Sequence, residues 1–315
     1  MNILILSCGT RYKLVEYFKN RDNSFDKVVV TDCSEYAPAL YISDKYYIVS
    51  RMNKDGYIDE IIDICKKENI NVILPLQEDE ILLISKNRKR FEDIDILVAI
   101  SDYSVLSLCK DKYELYNYLN KEDVPVVKTQ LLKDILDDNT KIDEVFVKPR
   151  YGAGSVGTMK VKTNMFLKTL YEESGEELIV QPFIQGKEYG VDVYIDFISS
   201  DIKAIFCKEK LRMRAGETEK SKSVKISEIE EMVKKVVGLL QLKGPVDIDI
   251  MEYYGKYYIL EINPRFGGGY PHAYECGVNF LKMMAVNAKG QVNTDNVMDY
   301  HEGVVALKYS DIVIR

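Results

Sequence analysis

Apolar positions in the first hundred residues fall into short runs separated by helical stretches. Residues 3–7, 27–31, 71–76 and 95–100 read as strands. Between them, YIDEIIDICKKEN (57–69) places Ile58, Ile61, Ile62 and Cys65 on one helical face. Strands alternating with helices imply a parallel sheet with crossover helices. A helix over about 104–120 follows, and Pro125 marks a boundary.

From about residue 140 the pattern becomes strand-rich, through EVFVKPR, GTMKVK, ELIVQPFI, GVDVYIDFI and IKAIFCKEK. SEIEEMVKKVVGLLQ (227–241) returns to helical spacing. Its apolar stripe is Ile229, Met232, Val233, Val236, Val237 and Leu240, and Ser227 with Glu230 predicts a capping box. GPVDIDIMEYYGKYYILEINPRFGGG (244–269) reads as two alternating strands around a Tyr254-Gly255 turn. The fold class is therefore α/β followed by α+β, without internal repeat or low-complexity linker.

Composition narrows the function. At 315 residues the chain suits two or three lobes. A formal charge of −7, with no arginine-rich block, argues against a nucleic-acid partner. The locally basic segment 208–223 is either a solvated loop or a contact for a small anion. Six scattered cysteines without a CxxC pair read as reduced core thiols. The N-terminus lacks a signal-peptide pattern, and no apolar run reaches the ~18–20 residues of a membrane span. A cytoplasmic protein with no membrane partner is expected.

Gly152, Gly154 and Gly157 match GxGxxG literally. A dinucleotide turn must open a helix, yet TMKVK after Gly157 alternates like a strand. The first βα loop, SCGTRY, holds only Gly9, although the second strand ends in Asp32. Both facts disfavour a nicotinamide-dependent oxidoreductase. A glycine loop between two strands can still hold phosphate, because successive backbone N–H groups form an anion nest. Lys148 would then reach the ligand as a point charge, with Pro149 stiffening the strand exit. Taken alone, the segment fits an exposed hairpin with a surface lysine equally well.

The 244–269 segment tips the balance. Asp247 and Asp249 share a strand face, as do Glu261 and Asn263. Pairing across Tyr254-Gly255 brings Asp249 and Glu261 together, and opposed like charges destabilise a sheet unless a cation lies between them. Two carboxylates and an amide suit Mg²⁺ bridging to nucleotide phosphates. Arg265 offers a planar fork for a transferring phosphoryl group. The competing reading is an acidic, solvent-facing stripe. Upstream, IVQPFIQGKEYGVDV suits a purine site, with Phe183 and Ile184 sandwiching the ring and Glu188 accepting from ribose hydroxyls.

Taken together and in order, these segments resemble the ATP-grasp superfamily, in the branch similar to the carbamoyl-phosphate synthase large chain. The motifs VFVKPRYGAGSVGT, QPFIQGKEYGVDV and ILEINPRFGGG carry the resemblance, which extends over nearly the whole chain. It implies a Rossmann-like lobe over residues 1–103, a small ATP-grasp lobe over 104–180 and a large lobe with the metal site over 181–315. It implies ATP and Mg²⁺, two ions being expected and Mn²⁺ an alternative. Lys112 and Lys148, with Gly152, Gly154, Ser155 and Gly157, would contact the phosphates. Gln181, Ile184 and Glu188 would hold adenine and ribose. Asp249, Glu261 and Asn263 would bind metal, and Arg265 would stabilise the phosphoryl group. One of Lys208, Arg212 or Arg214 would add a phosphate contact, Arg214 being assigned a catalytic part. Asp249 stands where relatives carry Gln or Glu, so Asp247 and Asp249 compete for the nearer metal position.

The implied chemistry is ADP-forming ligation, in which a carboxylate becomes an acyl phosphate that an amine or ammonia then attacks. An amino-acid-like substrate is expected. The alternatives are a silent nucleotide-binding module or carbamoyl-phosphate-type chemistry on bicarbonate. Arg11, Glu35, Tyr36, Gln77, Glu78, Asp79 and Tyr270 are expected at the substrate pocket, and His272 could touch the acceptor. A homodimer is the default assembly.

Overall fold

A computed structural model describes residues 1–137, 144–152, 154, 156–174 and 177–314. The N-terminal sheet contains β1 (Asn2–Leu6), β2 (Lys27–Asp32), β3 (Lys45–Ile48), β4 (Ile70–Pro75) and β5 (Leu97–Val98), all parallel, in the order β3-β2-β1-β4-β5. Helices α1 (Tyr12–Lys19), α2 (Tyr57–Lys67), α3 (Glu78–Lys86) and α4 (Arg88–Glu92) accompany it. The residues forecast for one face of α2 are buried. The forecast 95–100 strand shrinks to two residues. Strand β3 escaped the pattern search because its KYYI side chains are mostly exposed at the sheet edge.

The single helix expected over 104–120 is two, α5 (Tyr103–Lys110) and α6 (Lys112–Lys121). The break falls at Asp111, whose extended backbone and carboxylate cap α6 by accepting from the Tyr113 and Glu114 N–H groups. This correction matters because it puts Lys112 at the first position of a helix.

A four-stranded antiparallel sheet, ordered β6-β9-β7-β8, comprises β6 (Gln130–Leu131), β7 (Val145–Pro149), β8 (Met159–Val161) and β9 (Leu178–Pro182). Helices α7 (Leu132–Asp137) and α8 (Asn164–Ser174) belong to the same segment, and Leu132, Val147, Leu167 and Val180 form its small core.

The largest sheet is antiparallel, ordered β14-β13-β10-β11-β12-β15. Its strands are β10 (Glu188–Ile195), β11 (Ile202–Arg214), β12 (Glu217–Val224), β13 (Gly244–Tyr253), β14 (Lys256–Asn263) and β15 (Val305–Leu307). Helix α9 (Ser227–Leu240) buries Ile229, Val233, Val236, Val237 and Leu240 against it, as its stripe predicted, with Met232 partly covered. The capping box does not form. Ile226 occupies the cap without a side-chain bond, and the Ser227 hydroxyl turns to Glu228 instead.

Helices α10 (Tyr270–Glu275) and α11 (Phe280–Ala288) complete the chain's regular structure. Phe266, Tyr270, Phe280 and Met284 share one core with Ile3 and Ile5 of the first sheet, Phe18 of α1, and Tyr194 and Phe206 of the last sheet. That shared core fixes the N-terminal loops against the large sheet. Four cysteines are buried and Cys33 is exposed, with no disulfide among the described residues. Among these residues, no helix is long and apolar enough to cross a membrane.

Candidate active site

A cleft of about 890 Å³ lies where the three sheets converge. The loops after β1 and β4 contribute Arg11 and Gln77, and the first turn of α3 contributes Glu78; the small sheet contributes Lys148 and Gln181; the large sheet contributes Asp249 and Glu261.

Register builds the acidic wall. Opposed residues in an antiparallel pair share a face. Lys208, Gly190, Asp249 and Glu261 align across β11, β10, β13 and β14, and Asp192, Asp247 and Asn263 form the adjacent row. The Asp249–Glu261 opposition read from the hairpin pattern is thus a true cross-strand pair. Asp247, Asp249, Glu261 and Asn263 all face the cleft. Burial, together with the charges of Asp249 and Asp192, pushes the Asp247 carboxyl up to about 7.

The cations beside these carboxylates are lysines. Lys210 Nζ donates to Asp249 Oδ1 at 2.6 Å and to Glu188 Oε1 at 2.7 Å. Burial alone would lower its pKa, but Asp249 and Glu188 hold it well above the usual lysine range. To reach Asp249, the Lys210 side chain must pass over β10, where Gly190 lies beneath it. A Cβ on Gly190 would stand 3.1 Å from Lys210 Cε and 3.3 Å from Lys208 Cε. Lys112 Nζ lies 3.4 Å from Glu261 Oε1 and donates to the Gly152 carbonyl at 2.5 Å.

The glycine loop joins antiparallel strands β7 and β8, with Val147 opposite Met159, so no helix follows it. Gly152, Gly154 and Gly157 all have positive φ, and Gly152 and Gly154 line the cleft. Ser155 lies outside the described residues. Lys148 is buried and lines the cleft without a hydrogen bond or ion pair at contact distance among the described residues. Burial pulls its pKa down, against the attraction of Glu261. An ammonium in such a position is short of a counter-charge, which phosphate oxygens would supply. The loop is tied to α6: Arg150 grips Asp111 with Nε–Oδ1 at 2.8 Å and Nη2–Oδ2 at 2.6 Å, and Tyr151 donates to the same carboxylate at 2.8 Å.

Gln181, Phe183, Ile184 and Glu188 line the same cleft. The Gln181 side chain turns inward and donates to Thr129 Oγ1 at 2.9 Å. The Lys160 ammonium sits 3.6 Å from the centre of the Phe183 ring.

Among the three cations expected to add a phosphate contact, only Arg214 lines the cleft, 3.3 Å from Glu219 Oε1. Arg212 points away, 2.8 Å from Glu219 Oε2 and largely exposed. Lys208 lies on the same face as Asp249 but is buried beneath the glycine run at Gly269 and paired with Asp192. The β11 cation that pairs with Asp249 is Lys210, which the sequence reading missed. Its signal was present in the period of two shared by residues 208, 210, 212 and 214. A bulge between Lys210 and Arg212 then re-aims the strand.

Arg265 ends the acidic wall. Its Nη2 lies 3.3 Å from Glu78 Oε1, and its Nη1 lies 3.9 Å from Asp247 Oδ2. Arg11 stands nearby, with Nη1 at 3.7 Å from Glu217 Oε1. The run Gly267–Gly269 fits between these charges. A Cβ would meet the Asp247 carboxylate at 2.6 Å from Gly267, Arg11 Nη1 at 2.8 Å from Gly268 and Lys208 Cε at 2.7 Å from Gly269. Of the expected pocket residues, Gln77, Glu78 and Asp79 line the cleft with Arg11. Tyr36 is exposed, Glu35 does not line the cleft, and Tyr270 is buried with its hydroxyl donating to the Val278 carbonyl at 3.2 Å. His272 is also buried: Nδ1 lies 2.8 Å from Ser221 Oγ, and burial beside Lys208 lowers its pKa to about 4.

The donor set fits Mg²⁺ in its chemistry, since Asp249, Glu261 and Asn263 offer only oxygens on one face. Among the described residues, no group of three or more His, Cys, Asp or Glu side chains is arranged to hold a metal by itself. A nucleotide's phosphate oxygens would therefore have to complete the coordination.

Residues 3–99 match the PylC-like N-terminal domain family, and residues 109–269 match the ATP-grasp domain family. D-alanine–D-alanine ligase B of Clostridium perfringens is 28% identical over 243 residues, spanning 69% of this chain and 80% of that protein. The ADP complex of N5-carboxyaminoimidazole synthetase from Staphylococcus aureus shares the fold with a TM-score of 0.74 at 18% identity, over 97% of this chain and 79% of the other. The biotin carboxylase domain of Hydrogenobacter thermophilus 2-oxoglutarate carboxylase, in complex with MgADP and bicarbonate, gives 0.74 at 16% identity, over 94% and 71%. The glycine-loop hairpin, the acidic wall opposite it and the family match over half the chain lead to one assignment: the chain belongs to the ATP-grasp family.

Proposed function

We propose that the protein is an ATP- and Mg²⁺-dependent, ADP-forming ligase that joins a small-molecule carboxylate to an amine or ammonia, with an amino-acid-like substrate. The observation carrying this reading is the convergence of Lys148, Lys112 and the glycine loop with Asp249, Glu261, Asn263 and Arg265 on one cleft. The similarity to a D-alanine–D-alanine ligase supports the reaction class.

In this reading Lys112 and Lys148 hold the phosphates, and Gln181, Ile184 and Glu188 surround adenine and ribose. Asp249, Glu261 and Asn263 hold Mg²⁺, which screens phosphate charge and orients the nucleotide when bound. Lys210 keeps Asp249 aligned until then. Arg265, at the end of the acidic wall, takes up the charge on the phosphoryl group as a carboxylate oxygen attacks it. Attack of the amine on the resulting acyl phosphate releases phosphate. The chain supplies position and charge rather than a nucleophile of its own.

ADP formation in mixtures of carboxylates and amines tests the reading, with the product identified by mass. Release that requires both components is expected. Nucleotide binding without turnover in any mixture would leave a silent module instead.

A further inference from the structure

Arg11 presents a guanidinium to the cleft and makes no side-chain hydrogen bond among the described residues. Its nearest counter-charge, Glu217 at 3.7 Å, lies beyond hydrogen-bond distance and is shared with Lys308. The neighbours are arranged to keep the guanidinium there. A side chain on Gly268 would collide with Arg11 Nη1 at 2.8 Å and with Glu217 Cδ at 3.2 Å. The donor fork therefore projects into space with no acceptor, and a planar, bidentate acceptor is what it fits.

Charge around the fork restricts that acceptor. Glu217 stands beside it, and Glu78, paired with Arg265, lines the same cleft. The Arg11–Glu217 pair presents a positive and a negative group side by side at 3.7 Å, similar to the spacing of the opposite charges in an α-amino acid.

We propose that Arg11 and Glu217 form a zwitterion subsite, in which Arg11 binds the carboxylate and Glu217 the ammonium of a free α-amino acid that is one of the two substrates. The proposal rests on the ligase reading and names one substrate class for it. Arg11 acts here in recognition and leaves charge stabilisation at the phosphoryl group to Arg265.

The test measures binding, so it stands apart from turnover. The MgADP-loaded protein is titrated with the common L-amino acids and D-alanine, each beside its α-carboxamide, by thermal shift and calorimetry. At least one amino acid binds, and its amide does not. Arg11→Ala weakens that binding on the order of 100-fold, as expected for loss of hydrogen bonds to a charged group. Arg11→Lys recovers part of it, Glu217→Gln weakens it, and all three variants keep the wild-type response to MgADP. The proposal is overturned if no amino acid binds, if acid and amide bind alike, or if Arg11→Ala binds as wild type. Absence of carboxylate- and amine-dependent ADP release would instead remove the ligase reading.

Discussion

Lys210 and Asp249 are joined at 2.6 Å although their strands are not neighbours, because β10 runs between β11 and β13. Gly190 leaves the intervening strand bare at the crossing, where a Cβ would stand 3.1 Å from Lys210 Cε. Lys210→Met would strand two carboxylates, Asp249 and Glu188, at a covered site. Removing one partner of a buried pair costs about 3 kcal/mol, so urea denaturation should show a loss of that order. Turnover should fall with it.

Gly190→Val keeps both carboxylates and both lysines but blocks the crossing. We expect kcat/KM to drop by about 10–100-fold with a smaller loss of stability than Lys210→Met. Unchanged kinetics would mean that Lys210 has no part in aligning Asp249.

Lys148→Ala and Glu261→Gln remove one group from each wall of the cleft. Each should reduce ADP formation by about 100-fold or more while leaving the circular dichroism spectrum intact. If either variant turns over normally, the assignment of that residue is wrong.

Asp111→Ala removes the cap of α6 and the anchor of Arg150 and Tyr151 together. Loss of the cap alone costs about 1 kcal/mol. Because Lys112 follows directly, KM for MgATP should rise more than kcat falls. A thermal midpoint and a Michaelis plot decide it.

Glu80 gives a prediction about pH. It is fully buried beneath the N-terminal loops, Tyr57 donates to its Oε1, and Oε2 has no hydrogen-bond partner. Burial pushes it up to about 7, against the pull of the Tyr57 hydroxyl. A carboxyl raised in the folded state contributes stability that is present below its ordinary pKa and lost as pH rises through the folded value. Wild-type stability relative to Glu80→Gln should therefore fall between about pH 4.5 and 7, by roughly 3 kcal/mol. Denaturation midpoints of both proteins at pH 5 and pH 8 measure this, and a pH-independent difference would refute it.

Periodicity made the architecture legible. Apolar runs placed β1, β2 and β4, and alternation around Tyr254-Gly255 placed Asp249 opposite Glu261. The side-chain period of two is rigid, so register follows once a turn is located. What stayed hidden depended on contacts between segments distant in sequence. Asp111 could be read as a cap only with knowledge that α5 ends there, and β3 carries no buried face to announce it. Lys208 and Lys210 are indistinguishable by pattern. Their different fates follow from the partners the sheet sets beside them, Asp192 for Lys208 and Asp249 with Glu188 for Lys210.

The two ends of the cleft are built by different means. The oxygens of Asp249, Glu261 and Asn263 are set by cross-strand register, where a slip of one residue would turn each of them to the opposite face. Arg11 and Gln77, in contrast, sit on the short connections that follow β1 and β4. These connections can change in length and sequence while the sheets beneath them keep their pairing. In the proposed ligase the protein is thus modular in the engineering sense: the nucleotide site is fixed in the framework, and substrate choice falls to exchangeable connections. In that reading, replacing the connections around Arg11 and Gln77 would change the substrate while keeping the ATP chemistry.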